Sequence, residues 1–420
     1  MPGDGWKRLA ACLPALLLIA GIGCNRAHFP DVPAGYREFA YVSNGSSNTV
    51  SVLDLVYLRP DRTLQVGTQP TGMAVNPKRD EVYVVNTLSG SVSVIDTDSN
   101  NVVATIPVHK LPYSIDVDDA GHRAYVANSG SNTVSVLDLD SRKEIGVVGT
   151  GEQPGLARIS RDMRSLIVTN RGSGSVSIFD MAPYATSGRT LLPALSPSPK
   201  SVPNQPLPRL RVAFDGCPGA TDAVILNNSQ KAFIACSGGH QVMVVSLAAA
   251  PDSWEAKQSP SRLTDHLLTF LEVGETPVHL SLKPDGGQIF CSNFASNSVS
   301  SIDTTSNEVS RTDTIADGPV YSIVSGDNGT LWVSNFRADS LNLWSIDDGQ
   351  MAGSVRTGRA PDTLAFSADA QQHLLLAADA HSGDVSVIRT DLKNGPALFT
   401  ILPAGASPND IVVKAMPHKP

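Results

Sequence analysis

Tyr83-Val-Val-Asn86-Thr-Leu-Ser-Gly-Ser-Val92-Ser-Val-Ile-Asp96 reads as two short strands joined by a polar turn, and close variants of it recur along most of the chain. Tyr41 to Asp54 (YVSNGSSNTVSVLD) and Tyr125 to Asp138 (YVANSGSNTVSVLD) are near copies. The asparagine serves as a phase marker. It stands at Asn44, Asn86, Asn128 and Asn170, each 42 residues after the last, and the same spacing separates Asn293 from Asn335. Two degenerate copies complete the series: Phe233–Cys236 followed by Val242–Val245, and Leu376–Asp379 followed by Val385–Ile388. In all eight copies the second strand begins six residues after the marker.

A second motif supports the count. Gly67-Thr-Gln-Pro70, Gly151-Glu-Gln-Pro154, Gly274-Glu-Thr-Pro277, Gly358-Arg-Ala-Pro361 and Gly405-Ala-Ser-Pro408 share a Gly-x-x-Pro turn, with Pro112, Pro218 and Pro319 in looser versions. Each precedes a short apolar strand such as Gly72-Met-Ala-Val75, after which a turn leads into the marker strand. Each unit thus holds four strands, a to d in chain order, the last exemplified by Val102-Val-Ala-Thr-Ile-Pro107. Strands b and c carry aliphatic residues on both faces of the pleat, which marks strands covered on both sides. Four-stranded units recurring at about 40 residues describe an all-β β-propeller of antiparallel blades, not a sandwich. The first unit starts at strand b, and an orphan a strand, Asp410-Ile-Val-Val-Lys414, follows Pro408. Pairing the two closes the ring and removes exposed sheet edges. Eight blades are expected, with seven as the alternative if one degenerate copy is not a blade.

Repeats of the form Tyr-Val-x-Asn, a polar turn and Val-Ser-Val-Ile-Asp resemble the YVTN-type β-propeller repeat of bacterial and archaeal exported proteins, over residues 37–414. The resemblance implies the fold and export. It implies little mechanism, because one fold hosts many functions.

The N-terminus agrees with export. Lys7 and Arg8 precede the apolar run Leu9–Ile22, which ends at Gly23-Cys24. A basic start, a short apolar stretch and small residues before a cut describe an export signal, and the run is too short to span a bilayer comfortably. Ile22-Gly23-Cys24 resembles the bacterial lipobox, although Gly21 replaces the usual leucine. Lipidation of Cys24 is the expectation, with a plain cleaved signal as the alternative. Asn25 after the cysteine implies, by the same resemblance, an outer-membrane or cell-surface destination, with the periplasm as alternative. The chain then divides into a lipoprotein-type signal peptide (1–23), a tether (24–36), the propeller (37–414) and a tail (415–420).

Hydrophobic residues make up 41% of the chain, enough for a large core, and charged residues only 17%. A net charge of −8 and the lack of any Lys/Arg run argue against nucleic acid. Export places Cys217, Cys236 and Cys291 where disulfides persist. Cys217 precedes a strand a and Cys236 ends the adjacent strand b in place of the marker, so this pair is expected to form a disulfide. Cys291 is expected to be a buried, inert thiol. Two spacings exceed the period: 66 residues from Asn170 to Cys236 and 57 from Cys236 to Asn293. The surplus forms inserts near 181–208 and 248–264, both after strand c, so both project from one face of adjacent blades.

Asp54, Asp96, Asp138, Asp180 and Asp303 end strand c, and their repetition marks them as turn braces accepting backbone N–H bonds. The marker asparagine is read the same way. Asp116-Val-Asp-Asp119-Ala-Gly121 lacks the glutamate that an EF-hand needs, so it is a hairpin turn. No HExxH, Gly-x-Ser-x-Gly or P-loop pattern occurs. No catalytic residue, metal site or cofactor is expected. Ligand binding is expected where the copies disagree, at a channel mouth ringed by the Gly-x-x-Pro and b–c loops. The candidates there are His109, Tyr113, Arg171, His279, Tyr321, Arg337, Asp362 and Asp410. Such a set suits a small anion, a metal or a sugar acid; ordinary loop polarity around a water-filled channel is the alternative. The expected function is a monomeric, non-catalytic binding or protein-interaction module at the bacterial cell envelope. It would meet the membrane through its lipid anchor only, and an envelope protein or small ligand would be its partner. Two alternatives stay open. One is a lactonase-type propeller enzyme acting on a sugar acid or lactone at the channel mouth. The other is a periplasmic propeller carrying haem or quinone; CxxCH is absent, so His109 or His279 would supply axial ligands.

Overall fold

In the computed structural model, which describes residues 35–181, 207–251, 253–369 and 373–416, every copy of the repeat is a four-stranded antiparallel sheet, and there are eight of them. The second blade shows the pattern. β4 (Pro70–Val75), β5 (Glu81–Asn86), β6 (Ser91–Asp96) and β7 (Asn101–Pro107) pair in that order from the channel outward. β5 is buried throughout and β6 nearly so, whereas β7 is exposed or half-buried except at Ile106, because its outer edge meets solvent. Tyr41, Val50 and Val52 of the first blade pack against Met73, Val82, Val84 and Ile95 of the second. Fully burying one such side chain is worth roughly 1.5–3 kcal/mol, so blade-on-blade packing is the main source of stability. Each cluster is shared by neighbours, which ties the fold to an even repeat.

Closure uses the chain's two ends. β1 (Arg37–Asn44), β2 (Thr49–Asp54) and β3 (Arg59–Gln65) have no inner strand of their own; β32 (Pro408–Met416) supplies it. Arg37 lies opposite Met416 and Asn44 opposite Pro408. Both degenerate copies are true blades, built on β17 (Lys231–Cys236) and β29 (Leu374–Asp379), so the count is eight and not seven.

The repeated polar residues have specific work. Asn86 Nδ2 donates to Ser91 Oγ at 3.2 Å and Ser93 Oγ at 3.0 Å. Asn44, Asn128, Asn170 and Asn293 make the equivalent pair of bonds to hydroxyls five and seven residues on. The marker thus braces strand c across the sheet, and not the b–c turn that its place in the sequence suggests. Its buried amide needs these partners because an unsatisfied donor there is costly. The aspartates at the end of strand c do bind the turn: Asp303 Oδ1 accepts from the N–H groups of Thr305 and Ser306, both at 2.8 Å. Asp54 and Asp96 act likewise. Gly67 opens its turn against the marker, where an added Cβ would lie 2.3 Å from Ser89 Oγ and 2.6 Å from the Asn86 side chain. The two sequence motifs therefore pack on each other.

Three blades vary this scheme. In the seventh, Asn335 Nδ2 donates to Asn342 Oδ1 at 2.7 Å and to the Ser340 carbonyl at 3.2 Å. In the fifth, Cys236 takes the marker's place and is joined to Cys217 by a disulfide, with the Cα atoms 4.8 Å apart. Gln241 and Met243 stand where five other blades keep a pair of hydroxyls. In the eighth, Asp379 replaces the marker and accepts from Ser386 Oγ at 2.7 Å. Cys291 is free and buried, and burial pushes its thiol pKa upward.

The longer connections join β14 (Ser175–Asp180) to β15 (Arg209–Asp215) and β18 (Gln241–Ser246) to β19 (His266–Glu272). The second carries a short helix, α1 (Trp254–Gln258), and a 3-10 turn (Pro260–Leu263). Asp265 pins its base, accepting from Arg211 of β15 and from the Ala248 N–H, both at 2.8 Å. The signal segment, Cys24 and most of the first insert and tail lie outside the described residues. Among the described residues no helix is long and apolar enough to cross a membrane.

Candidate functional site

The strands that line the channel are β4, β8 (Pro112–Val117), β12 (Pro154–Ile159), β16 (Ala220–Ile225), β20 (Pro277–Leu282), β24 (Pro319–Val324), β28 (Pro361–Phe366) and β32. Where most strands carry apolar or small residues, a few carry groups able to do chemistry. Several of these act as latches between blades. Asp410 accepts from Ile411 N–H at 2.9 Å and reaches the next blade's Met73 N–H at 2.8 Å. Asp222 binds Ala223 and Leu280 N–H in the same way, both at 2.8 Å, and Asp116 binds Val117 and Ile159 N–H. His279 Nδ1 accepts from Ser322 N–H at 3.3 Å, while its Nε2 lies 3.8 Å from Asp222 Oδ2. Its ring stacks on Tyr321 with centroids 3.8 Å apart.

The channel shifts the titration of these groups. Burial pushes Asp410 up to about 6, against the opposing pull of its two N–H bonds. Burial, with the charge of Asp410 beside it, pushes Asp362 up to about 7, and no hydrogen bond engages its carboxylate. Burial lowers the pKa of His279 more than Asp222 raises it, so the imidazole is neutral near pH 7. Burial opposes the charge of Arg158, but Asp116, Asp222 and Asp410 outweigh it and hold the guanidinium protonated.

The b–c loops form a different surface. Arg337 places its guanidinium carbon 4.3 Å from the ring centre of Phe294, and Arg171 lies 4.9 Å from that of Tyr113. Phe336 and His381 meet edge to face at 5.1 Å. Phe294, Phe336, Arg337 and His381 come from the b–c turns of three consecutive blades, the sixth to the eighth. Together they make a rim of aromatic faces and one guanidinium, Arg337, whose Nη1 also lies 3.6 Å from Asp317 Oδ1 at the exposed edge; such a rim suits a flat anion. No hydrogen bond or ion pair engages the ring nitrogens of His381.

The structure therefore divides the residues picked out in the sequence. Tyr113, Arg171 and Arg337 stand at the b–c mouth. His279, Tyr321, Asp362 and Asp410 belong to inner strands and sit within the channel. His109 turns to the perimeter, with Nε2 3.6 Å from Glu144 on the outer strand β11 (Lys143–Gly149). Sequence reasoning passes over Phe294, Phe336 and His381, and also Arg158 and Asp222; it reads Asp116 as part of the a–b turn, whereas Asp116 lies on the inner strand β8. A signal exists for the two phenylalanines: they directly follow the marker, where other copies place Gly45, Thr87 or Ser129. The channel residues give none, because positions on strand a vary in every copy. At the opposite end, the a–b turns surround a cavity of about 400 Å³ lined by Arg158, Arg161, Asn227 and Tyr321 among others. Among the described residues no cluster of His, Cys, Asp and Glu is arranged to hold a metal ion.

Fold and site define an eight-bladed propeller with a polar channel and two unlike mouths. No protein-family profile matches the chain. A stretch of 146 residues is 30% identical to the protein NirF of Pseudomonas aeruginosa, covering 34% of this chain and a third (33%) of NirF. In structure the chain is similar to the dihydro-heme d1 dehydrogenase NirN in complex with DHE, with a TM-score of 0.69 at 14% identity over 89% of this chain and 74% of that one. It is also similar to a putative 6-phosphogluconolactonase from Bacteroides uniformis, with a TM-score of 0.56 at 16% identity over 90% of this chain and 100% of the other. At these identities the structural likenesses speak for the fold alone.

Proposed function

We propose that this protein is a non-catalytic binding propeller of the cell envelope, of the YVTN-repeat type, whose b–c mouth takes a flat, carboxylate-bearing ligand of the tetrapyrrole class. The observation that carries the reading is the Arg337 guanidinium 4.3 Å from the Phe294 ring, beside the Phe336–His381 pair. An aromatic face stacks on a macrocycle, and arginine pairs with carboxylates in a planar fork. His381 offers ring nitrogens without a competing partner, as an iron ligand requires. The partial similarity to NirF and the structural likeness to NirN, a dihydro-heme d1 dehydrogenase, support the same class. In this reading Arg171 and Arg337 hold the ligand's carboxylates, Phe294 and Phe336 its face, and His381 its metal. Export and lipidation at Cys24 would hold the propeller at the envelope.

The lactone-hydrolase reading has less support. It rests on likeness of fold, and His279, the channel imidazole, already spends Nδ1 on the Ser322 N–H. The test is an absorbance titration of the purified mature chain with haemin. The expected result is a saturable shift of the Soret band, weakened by about tenfold in Arg337→Ala combined with Phe294→Ala. A haemin spectrum unchanged by the wild-type protein, or binding indifferent to the double substitution, overturns the proposal. Turnover of 6-phosphogluconolactone above the rate of spontaneous hydrolysis would instead make the protein an enzyme.

A further inference from the structure

The a–b end of the channel holds a guanidinium that no side chain pairs with directly. Arg158 projects from β12 and is exposed, yet blades surround it on every side, so the water it meets is that of the channel lumen. Its charge is felt by Asp116 of the third blade, Asp222 of the fifth, Tyr321 of the seventh and Asp410 of the first, which places the guanidinium near the channel axis. Yet no hydrogen bond or ion pair engages it. The reason is visible in its neighbours. Asp116, Asp222 and Asp410 each already accept two backbone N–H groups, one of them from the adjacent blade. These carboxylates are committed to holding blades together and do not turn toward the arginine. A planar fork of N–H donors is therefore left free inside a walled space.

That space is the cavity of about 400 Å³ at this end, within the range of small-molecule sites. Arg161 stands at its rim in an a–b turn, also without a hydrogen bond or ion pair. Neutral polar groups complete the wall: the Tyr321 hydroxyl, which no hydrogen bond engages, Ser281, and the Asn227 carbonyl, left over when its amide donates to Pro284 O at 2.9 Å. We infer that this cavity is a binding site for a small hydroxylated carboxylate, its carboxylate paired with Arg158 and its hydroxyls with Tyr321, Ser281 and Asn227. The charge state follows from the surroundings. The carboxylates of Asp116 and Asp222 repel any anion in this space, and repel a phosphate dianion more than a carboxylate monoanion. The site lies at the end of the channel opposite the aromatic mouth, so it neither requires nor repeats the function proposed for that mouth.

Isothermal titration calorimetry of the full mature chain with gluconate tests the inference, with 6-phosphogluconate and inorganic phosphate as parallel titrants. Saturable gluconate binding is expected, falling by about tenfold or more in Arg158→Gln, because a charge-assisted fork is lost. Arg158→Lys keeps the charge near the axis but not the fork and is expected to bind more weakly than wild type. Tyr321→Phe leaves the latches in place and is expected to weaken gluconate binding by a few-fold. Arg59→Ala, which removes a charge on the perimeter, is expected to change nothing. The inference is overturned if wild type takes up no gluconate, if Arg158→Lys and Tyr321→Phe both bind as wild type does, or if phosphate or 6-phosphogluconate binds more tightly than gluconate.

Discussion

At the scale of single residues the most informative position is Asp379. Six blades place an asparagine amide there; five of these donate to hydroxyls of strand c, and Asn335 donates to Asn342 Oδ1. A carboxylate cannot donate, but a carboxylic acid can. Burial pushes Asp379 up to about 8, with Asp384 adding to the rise, so near pH 7 the acid form is favoured and shares its proton with Asp384, five residues on, while Ser386 Oγ donates to its Oδ2. The sign of the linkage follows. With the folded pKa above the ordinary value of about 4, the contribution to stability is complete below about pH 4 and is lost as pH rises through about 8. Asp379→Asn is therefore expected to melt higher than wild type at pH 9 by a few degrees, with the gap closing toward pH 5, as measured by calorimetry at both pH values. Parallel pH profiles for the two proteins would contradict the assignment. At this scale the sequence is half legible. The strand-ending aspartates can be read as turn braces because their partners lie two or three residues away. The marker's partners lie across a sheet, and only the recurrence of Ser or Thr five and seven residues on hints at them.

Secondary-structure elements show how one bracing chemistry is exchanged for another. In the fifth blade the disulfide, Gln241 and Met243 replace amide and hydroxyls together, so strand b is held by a covalent bond to the preceding turn. Removing it in Cys217→Ala/Cys236→Ala is expected to cost about 2–4 kcal/mol in denaturant unfolding. Putting an asparagine at 236 should not by itself repair the loss, because no hydroxyl waits to receive it. Adding Gln241→Ser and Met243→Ser to Cys217→Ala/Cys236→Asn is expected to recover about 1 kcal/mol. A full recovery by Cys236→Asn alone would show that the marker works through the turn after all. The Gly-x-x-Pro turns give a matching test. Gly67→Ala forces a Cβ against Ser89 and Asn86 and is expected to destabilise by about 1–3 kcal/mol. Strand order, turn positions and insert positions are open to sequence reading because each follows from periodicity. The aromatic mouth and the channel charges are not, since they occupy places where the period carries no information.

For the whole molecule, eightfold repetition makes the architecture readable from the residues alone, including the closure of the ring. The repeat also hides the sites. A channel exists only once all blades stand around it, so Arg158, Asp222, Asp116 and Asp410 are hundreds of residues apart in part and become neighbours only by closure. Deleting residues 408–420 removes β32 and with it Asp410, leaving β1 as a bare edge. The expected outcome is a chain that associates or precipitates, seen by light scattering, because unpaired edges template pairing. A monomeric truncated chain with a native melting temperature would show that closure is dispensable.

The pairing of β1 with β32 also has a meaning in time. A chain made from its N-terminus presents β1 first, and for the passage of more than 360 residues the strand's partner does not yet exist. Throughout synthesis one backbone edge is held in reserve, and any other strand that meets it is a competitor for the place of β32. The first blade to appear is the last to be finished. The interval between the two is when this protein is most exposed to error, and when a chaperone would have most to do.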